Sequence, residues 1–371
     1  MATNERAAAV DFDVKINGTE VPDADVISFT TESDFDQPDT ASVVLRNDVS
    51  GYNDKYKPGH TLEILVGASG ASAAEDGAGS KQTIFKGEVV GLDVSYSAGG
   101  KSKLTVRGFN KLHRLTRGKK SKTYQDQSDQ DIVSSIAGAN GLSAQSGNSP
   151  KITHKHVYQH NQSDLDFLRV RAARLGFSVW VDDAKLYFDA PKIDQDSGIE
   201  LKLENATDAE HQLKAFSGRL SNAGVVKKVT VRAWNPEKKE EIVGEASAQS
   251  SPLGSSNAAS SLSDFGDIST FTVDHPVYSV EEAQAIAKAK VADASMGYIT
   301  ADAECRGHHA YKIGIVVKVT VNLDTATDRF NGKYLVAGVT HRYAPGSGAG
   351  GGGGGGYTST LRLRRDAEKG S

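Results

Sequence analysis

The sequence has one cysteine, two tryptophans and two methionines, and it has no apolar run long enough to span a membrane. The single cysteine, Cys305, excludes an intramolecular disulfide framework and is typical of a reducing compartment. The net charge of −4 argues against a nucleic-acid binder, which would be strongly basic. The N-terminal residues lack an apolar h-region, so we expect synthesis in the cytoplasm without a signal peptide and without direct membrane insertion.

Glycine is abundant, with 38 residues, while aromatic residues make up only 7% of the chain. This composition favours many short strands joined by flexible loops over a compact helical enzyme. Residues 10–46 contain three alternating runs, and Asn17-Gly18 between the first two predicts a hairpin turn. The polar stretch after Val66 and the glycine run at 346–356 predict loops, the second being a mobile hairpin tip.

A segment near the C-terminus repeats one near the N-terminus. Each copy begins Phe-x-Gly, has a second glycine five positions before a tyrosine, and crosses a glycine-rich turn into Ser-x-Leu-x-apolar-Arg. Apolar residues alternate along both copies, which predicts a hairpin that belongs to a small barrel built twice. The matched positions are Phe85 with Phe330, Gly87 with Gly332, Gly91 with Gly338, Tyr96 with Tyr343, and Arg107 with Arg364.

Helix signals stand between and inside these copies. Ser128 and Ser163 have N-cap spacing to Asp131 and Asp166, and Ser279 has the same spacing to Glu282. Gly176 is placed to end the helix that Ser163 begins. Small apolar residues form a narrow stripe along the helix that Ser279 begins, which predicts close packing on a sheet, and the serine- and alanine-rich stretch at 246–270 predicts a low-complexity loop. The predicted fold is therefore mainly β with α+β insertions: two related small tube-like β-barrels plus helix-hairpin subdomains. The predicted domains are a first barrel at 1–117, an α+β subdomain at 118–205, a second barrel at 206–245 and 311–371 that the strand at 225–234 opens, and a loop-and-helix insertion at 246–310.

Candidate chemistry is sparse. His154, His156 and His160 lie close together, but no carboxylate or cysteine completes a metal-site spacing, so we expect surface histidines. The glycines at 346–351 fit a dinucleotide motif formally, but a strand rather than a helix follows them. Cys305 has the pattern of a buried strand cysteine. We therefore predict no catalytic, cofactor-binding or metal-binding residue.

A basic stretch follows the first repeat, and two interpretations of it stay open. Such a stretch is commonly a solvated face, or it is a docking strip for an acidic partner. Its residues include Lys111, Arg114, Arg117, Lys119 and Lys120.

The segment Tyr158–Phe188, YQHNQSDLDFLRVRAARLGFSVWVDDAKLYF, resembles the late-control protein D and VgrG hub family. Both barrel segments resemble that family in the same order. The resemblance implies a structural, non-enzymatic hub of a contractile injection system or phage-like tail baseplate. It implies a homotrimer that adapts a hexameric inner tube to a trimeric spike, with no nucleic-acid partner and no cofactor. Because the sequence stops after the second barrel, we expect the spike to be a separate protein.

The expected partners are the inner tube protein, the spike protein and other baseplate subunits within one assembled particle. The alternative functions are a tail-associated cell-wall hydrolase and a carbohydrate-binding baseplate component, although two tryptophans offer few aromatic platforms for sugars. The residues expected at subunit contacts are Phe85, Tyr96, Arg107, Lys111, Arg114, Arg117, Lys119, Lys120, Phe330, Tyr343 and Arg364.

Overall fold

The computed structural model describes residues 10–48, 51–67, 81–98, 101–147, 152–203, 210–235, 238–265, 269–272, 277–322, 328–345 and 356–368. The predicted loop at 68–80 and most of the predicted glycine-rich hairpin tip, at 346–355, lie outside these residues. The described part is mainly β with helices inserted between strands, which confirms the predicted fold class.

The N-terminal part is a curved antiparallel sheet whose inward side chains, such as Val43 and Leu104, are fully buried. Asn17 and Gly18 have φ angles of 54° and 76°, as the predicted hairpin turn requires. The elements are β1 (Phe12–Ile16), β2 (Thr19–Val21), β3 (Val26–Asp34), β4 (Thr40–Arg46), the one-turn helix α1 (Tyr52–Lys55), β5 (Thr61–Val66), β6 (Gln82–Tyr96) and β7 (Ser102–Phe109). The strand order is β2-β1-β5-β6-β7-β4-β3.

Strands β1 and β3 approach each other, and no backbone pairing joins them in the described part of the chain. The ring of Phe12 on β1 lies 5.4 Å from the ring of Phe29 on β3, edge to face. Both rings belong to one apolar core with the residues of β4, β5 and β7. The first barrel is thus closed by side chains at this seam rather than by backbone hydrogen bonds.

A compact α+β unit follows. The Ser128 hydroxyl accepts from the Asp131 N–H and the Asp131 carboxylate accepts from the Ser128 N–H, which confirms the predicted capping box. Gly176 ends the second long helix in the left-handed conformation, also as predicted. The elements are a 3₁₀ helix at Lys111–Thr116, β8 (Lys120–Ser128), α2 (Asp129–Ala139), β9 (Ser143–Ser146), β10 (Thr153–Gln162), α3 (Asp164–Leu175), β11 (Ser178–Asp182) and β12 (Lys185–Asp189).

The second barrel begins with β13 (Asp196–Leu203) and β14 (Gln212–Leu220), and an inserted layer then interrupts it. The layer contains β15 (Lys228–Asn235), β16 (Glu240–Ser247), β17 (Ser256–Asn257), β18 (Ser269–Thr272) and α4 (Val280–Met296). Strand β15 pairs with β16 and β18 in a separate sheet, so the prediction that it opens the second barrel is wrong. Apolar alternation identifies a half-buried strand but does not specify the sheet that it joins.

Helix α4 lies on β15 and β16 through the small-residue stripe that the sequence predicted. Ala283, Ile286 and Ala287 are buried in this layer. The closest approach is at Gly244 of β16, where an added Cβ would lie 2.3 Å from the Ala283 carbonyl carbon. Glycine at this position therefore allows the helix to touch the sheet backbone.

The stretch at 246–265 was expected to be a low-complexity loop, and the structure corrects this. Residues Ala258–Phe265 form a 3₁₀ helix. Ala258 and Leu262 are buried against the second barrel, and Leu253 is only 1% exposed. A few well-spaced apolar side chains are sufficient to dock this stretch, although serine and alanine dominate its composition.

The remaining strands complete the second barrel. They are β19 (Ile299–Arg306), β20 (Val316–Thr320), β21 (Gly332–Ala344) and β22 (Gly356–Arg365), and the short β23 (Ala367–Glu368) pairs with β17. Six strands close in the order β13-β14-β19-β22-β21-β20, with β20 pairing back onto β13. Strand β19 lies within the predicted insertion at 246–310, while the predicted domain boundaries as a whole stay a prediction.

Candidate assembly interface

Strand β21 belongs to both barrels. Its first part pairs with β20, from Gly332 opposite Val319 to Leu335 opposite Val316. Its second part pairs on the same side with β3 of the first barrel. Because β22 pairs along the other side of β21, one continuous strand carries the junction between the barrels.

The junction is packed with aromatic rings. Tyr343 of β21 stacks on Phe29, with ring centroids 5.2 Å apart, and lies 4.6 Å from Phe12. Tyr357 of β22 is 4% exposed and belongs to the core of the first barrel. Arg362 of β22 forms an ion pair with Asp34 of β3 at the edge of the same contact. The second repeat thus contributes side chains to the core of the first barrel.

The two barrels share one plan. The spatial order β1-β5-β6-β7-β4-β3 corresponds to β13-β20-β21-β22-β19-β14, and both sets follow the same order along the chain. One difference is the direction of β13, which runs parallel to β20, whereas β1 runs antiparallel to β5. Breaks in the pairing also recur at the same places. They lie between Val89 and Gly91 and between Val336 and Gly338, and again between Val26 and Ser28 and between Leu213 and Ala215.

The strand registers correct part of the alignment read from the sequence. Arg107 lies opposite Gly91, and Arg362 lies opposite Gly338, so the counterpart of Arg107 is Arg362 and not Arg364. By the same registers, Phe330 lies two positions before the true counterpart of Phe85, so these two phenylalanines are not equivalent. A slip of two residues preserves the inward and outward alternation, so the sequence pattern alone does not detect it. The matches of Gly91 with Gly338 and of Tyr96 with Tyr343 are confirmed.

The predicted aromatic contact residues fall into different environments. Phe85 is 3% exposed in the first core, and Phe330 is half-buried against the second core. Tyr343 lies in the junction within the chain. Tyr96 is 73% exposed, so it alone of the four is available to a partner without repacking. Their shared role at subunit contacts stays a prediction.

Two residues of the predicted basic strip, Arg114 and Lys120, have acidic partners inside the chain. The Arg114 Nε lies 3.1 Å from Glu88, and this hydrogen bond lowers the pKa of the Glu88 carboxyl. The Lys120 Nζ lies 2.5 Å from the buried Asp164. These pairs reduce the positive charge offered to an acidic partner, and a docking role stays a prediction. The described members are the half-buried Lys111 and Arg114, and the exposed Arg117, Lys119 and Lys120, together with Arg107 and Arg364 elsewhere on the barrels.

The expectation of surface histidines is wrong for His154. This residue is 6% exposed, and its Nε2 lies 3.2 Å from Asp129 and 2.8 Å from Arg171. Burial opposes ionisation of Asp129, but the hydrogen bonds from His154 and Arg171 outweigh it and lower the pKa of that carboxyl. The partners come from α2 and α3, so no local spacing could reveal them. His156 and His160 are exposed, as expected.

A second buried histidine, His341, lies in the second barrel, and the sequence did not indicate its burial. His341 is 4% exposed, and its Nδ1 lies 2.8 Å from the Tyr357 hydroxyl and 2.9 Å from the Ser359 hydroxyl. Its Nε2 lies 3.2 Å from the Tyr311 carbonyl oxygen, which accepts the ring proton. Burial lowers the pKa of His341 to about 4. The ring is therefore neutral at pH 7 and joins β21 to β22.

Glu210, His211 and His308 place one possible ligand atom each within 4.8 Å of one another. The His308 Nδ1 accepts from the Ala310 N–H at 3.1 Å, so the neutral ring carries its proton on Nε2, 3.0 Å from Glu210. A metal at this Nε2 would need a lone pair where the proton lies. Metal binding there would require the proton to move to Nδ1 and the hydrogen bond from Ala310 to break. The prediction that the chain has no metal-binding residue stays a prediction.

No helix in the described ranges is both long and apolar enough to cross a membrane.

No curated protein matches the chain. Among solved structures, the 43 kDa tail protein of prophage MuSo2 from Shewanella oneidensis is 13% identical with a TM-score of 0.67, covering 97% of this chain and 100% of that one. A tail protein from Neisseria meningitidis is 14% identical with a TM-score of 0.68, covering 96% and 97%. An E. coli component of the type VI secretion system is 15% identical with a TM-score of 0.55, covering 94% and 76%. These similarities show a shared fold.

Membership of the late-control protein D and VgrG hub family in particular stays a prediction. The family model that matches is the Alg8 N-terminal domain, and the match extends over residues 6–344 of the 371. It therefore includes both barrels up to the end of β21, together with the α+β unit and the inserted layer. The chain belongs to the Alg8 N-terminal domain family.

Proposed function

We propose that this protein is a structural, non-enzymatic hub of a contractile injection system or phage-like tail baseplate. Three copies form a ring that adapts a hexameric inner tube to a trimeric spike. The observation that carries the proposal is the duplication: one chain holds two barrels with the same strand order and the same breaks in pairing. The fold similarity to two tail proteins and to a type VI secretion component supports it.

The duplication matches the difference in symmetry between the tube and the spike. The end of a hexameric tube offers six equal binding surfaces, whereas a trimeric spike offers three. A trimer of chains with two similar barrels each presents six similar faces to the tube and keeps threefold symmetry towards the spike. A trimer with one barrel per chain would leave alternate tube subunits without an equivalent partner.

The state of the single cysteine is consistent with a non-enzymatic role. Cys305 is fully buried in β19, as the sequence predicted, and burial raises the pKa of its thiol to about 12. A thiol of this kind is a poor nucleophile at neutral pH. The rival functions, a tail-associated cell-wall hydrolase or a carbohydrate-binding component, remain distinguishable by experiment. A zymogram against peptidoglycan should show no cleared band, and a band abolished by a single carboxylate substitution would overturn the non-enzymatic assignment.

Reconstitution tests the hub role directly. The purified full chain should have the mass of a trimer by light scattering, and it should capture the inner tube protein and the spike protein of the same particle. A stable monomer that binds neither protein would overturn the proposal. The same capture assay with the tube protein alone and the spike protein alone separates the two faces of the hub.

A further inference from the structure

Two strand segments have an edge that no other strand in the described part of the chain pairs with. In β6, the residues from Gly91 to Tyr96 pair with β7 on one side, while β5 pairs only as far as Glu88 on the other. In β14, the residues from Ala215 to Leu220 pair with β19, while β13 reaches only Leu213. Unpaired edges of this kind are templates for pairing with another chain.

Each of these two segments has a counterpart in the other barrel, and the two counterparts already pair with each other. The counterpart of the β6 segment is Gly338 to Tyr343 of β21, and the counterpart of the β14 segment begins at Phe29 of β3. Within the chain these two counterparts pair antiparallel, from Phe29 opposite Tyr343 to Asp34 opposite Gly338. The described part of the chain therefore contains one paired copy of this contact and the two separate segments of a second copy.

When the register of the β3–β21 junction is applied to the free β6 and β14 segments, the residues that fall opposite each other are complementary. Phe216 falls opposite Tyr96, as Phe29 falls opposite Tyr343. Arg219 falls opposite Asp93, whose carboxylate also accepts from the Arg107 Nε at 2.5 Å within its own chain, so the two arginines would share one carboxylate. The other pairs, Ser217 with Ser95, Gly218 with Val94 and Leu220 with Leu92, place no like charges together.

Side chains of the two free segments are exposed, as expected for a contact whose partner is missing. Tyr96 is 73% exposed and Val94 is 39% exposed, whereas the counterpart of Val94 is the buried His341. Arg219 and Asp93 are also exposed. Large apolar side chains that are exposed on one barrel and covered at the equivalent place on the other indicate a surface that a partner covers.

We infer that the β6 edge of one chain, residues 91–96, pairs antiparallel with the β14 edge of a second copy, residues 216–221, in the register of the internal β3–β21 junction. The contact is head to tail, so each copy offers one edge of each kind and a closed ring leaves none free. The number of copies in that ring rests on the proposed hub function, but the pairing does not.

Disulfide trapping tests the register. Ser95 and Ser217 are exposed and fall directly opposite each other, so the full-length variant S95C/S217C should cross-link between chains under mild oxidation. The native Cys305 is buried and should not contribute. The single variants S95C and S217C, and the variant S95C/K214C, which is three positions out of register, should cross-link at roughly one-fifth of that yield or less. Equal yields in the matched and shifted pairs would overturn the register.

A charge reversal gives a second readout in case oxidation disturbs the chain. Arg219→Glu should lower the assembled fraction by up to roughly fivefold by placing a second carboxylate beside Asp93, while Arg219→Lys should lower it little. Neither change should shift the thermal midpoint of the isolated chain, because Arg219 is exposed. Unchanged assembly in Arg219→Glu would count against the contact.

The two proposals fail in different ways. A trimer that binds tube and spike but does not form the S95C–S217C cross-link would leave the hub role intact and overturn the pairing. A cross-linked ring that binds neither tube nor spike would overturn the hub role and leave the pairing intact.

Discussion

Tyr343 of β21 lies directly opposite Phe29 of β3, and the two rings stack with an interplanar angle of 24°. The pair joins a strand of the second barrel to the core of the first. The equivalent residues, Tyr96 and Phe216, lie on opposite barrels of one chain and have no such contact with each other. One aromatic pair therefore stabilises the fold, and we propose that the other stabilises the assembly.

This difference predicts that the same substitution has different effects at two equivalent positions. Tyr343→Ala should lower the free energy of unfolding of the single chain by about 2 kcal/mol, because it removes a packed aromatic ring. Tyr96→Ala should change it by less than about 0.5 kcal/mol, because Tyr96 is exposed, but should weaken assembly. Chemical denaturation below the assembly concentration measures the first effect, and light scattering measures the second. Equal destabilisation by both substitutions would contradict the distinction.

His341 predicts loss of stability in acid. Burial holds the pKa of His341 at about 4, below its usual value of 6.5, so the folded state takes up the proton less readily than the unfolded state. Its contribution to stability is complete above pH 6.5 and falls as the pH drops towards 4. The variant His341→Gln keeps a donor and an acceptor, so its thermal midpoint should fall less between pH 7 and pH 4.5 than that of the native chain. His156→Gln, at an exposed position, is the control and should behave like the native chain.

Gly244 predicts a steric effect in the inserted layer. Gly244→Ala should destabilise the chain by about 1–3 kcal/mol, because the new methyl group would collide with the backbone at Ala283. Gly224→Ala is a matched control, since no atom lies within 4 Å of an added Cβ there. Thermal unfolding of both variants measures the difference. A neutral Gly244→Ala variant would show that α4 can move away from β16 at little cost.

The features that the sequence predicted well are local. The capping box at Ser128, the glycine stop at Gly176 and the turn at Asn17 each depend on residues a few positions apart, and each is confirmed. The duplication was also detectable, because related segments recur in the same chain order. Cys305 was predicted to be a buried strand cysteine, and it is fully buried in β19.

The features that the sequence missed are non-local. Alternation shows which side of a strand is buried, but it does not identify the neighbouring strand. This is why β15 was assigned to the wrong sheet and why the pairing of β21 with β3 was not foreseen. The burial of His154 and His341 likewise depends on partners from distant elements. The candidate interface became visible only when the registers of the two barrels could be compared.

We propose that two equivalent barrels per chain allow a threefold ring to present sixfold geometry. Electron microscopy of the purified ring, or of the tube end in assembled particles, tests it most directly. The ring should contain three chains with six barrels at one radius, about 60° apart, as sixfold geometry requires. A monomer, or a ring in which the two barrels of each chain lie at different radii, would contradict the claim.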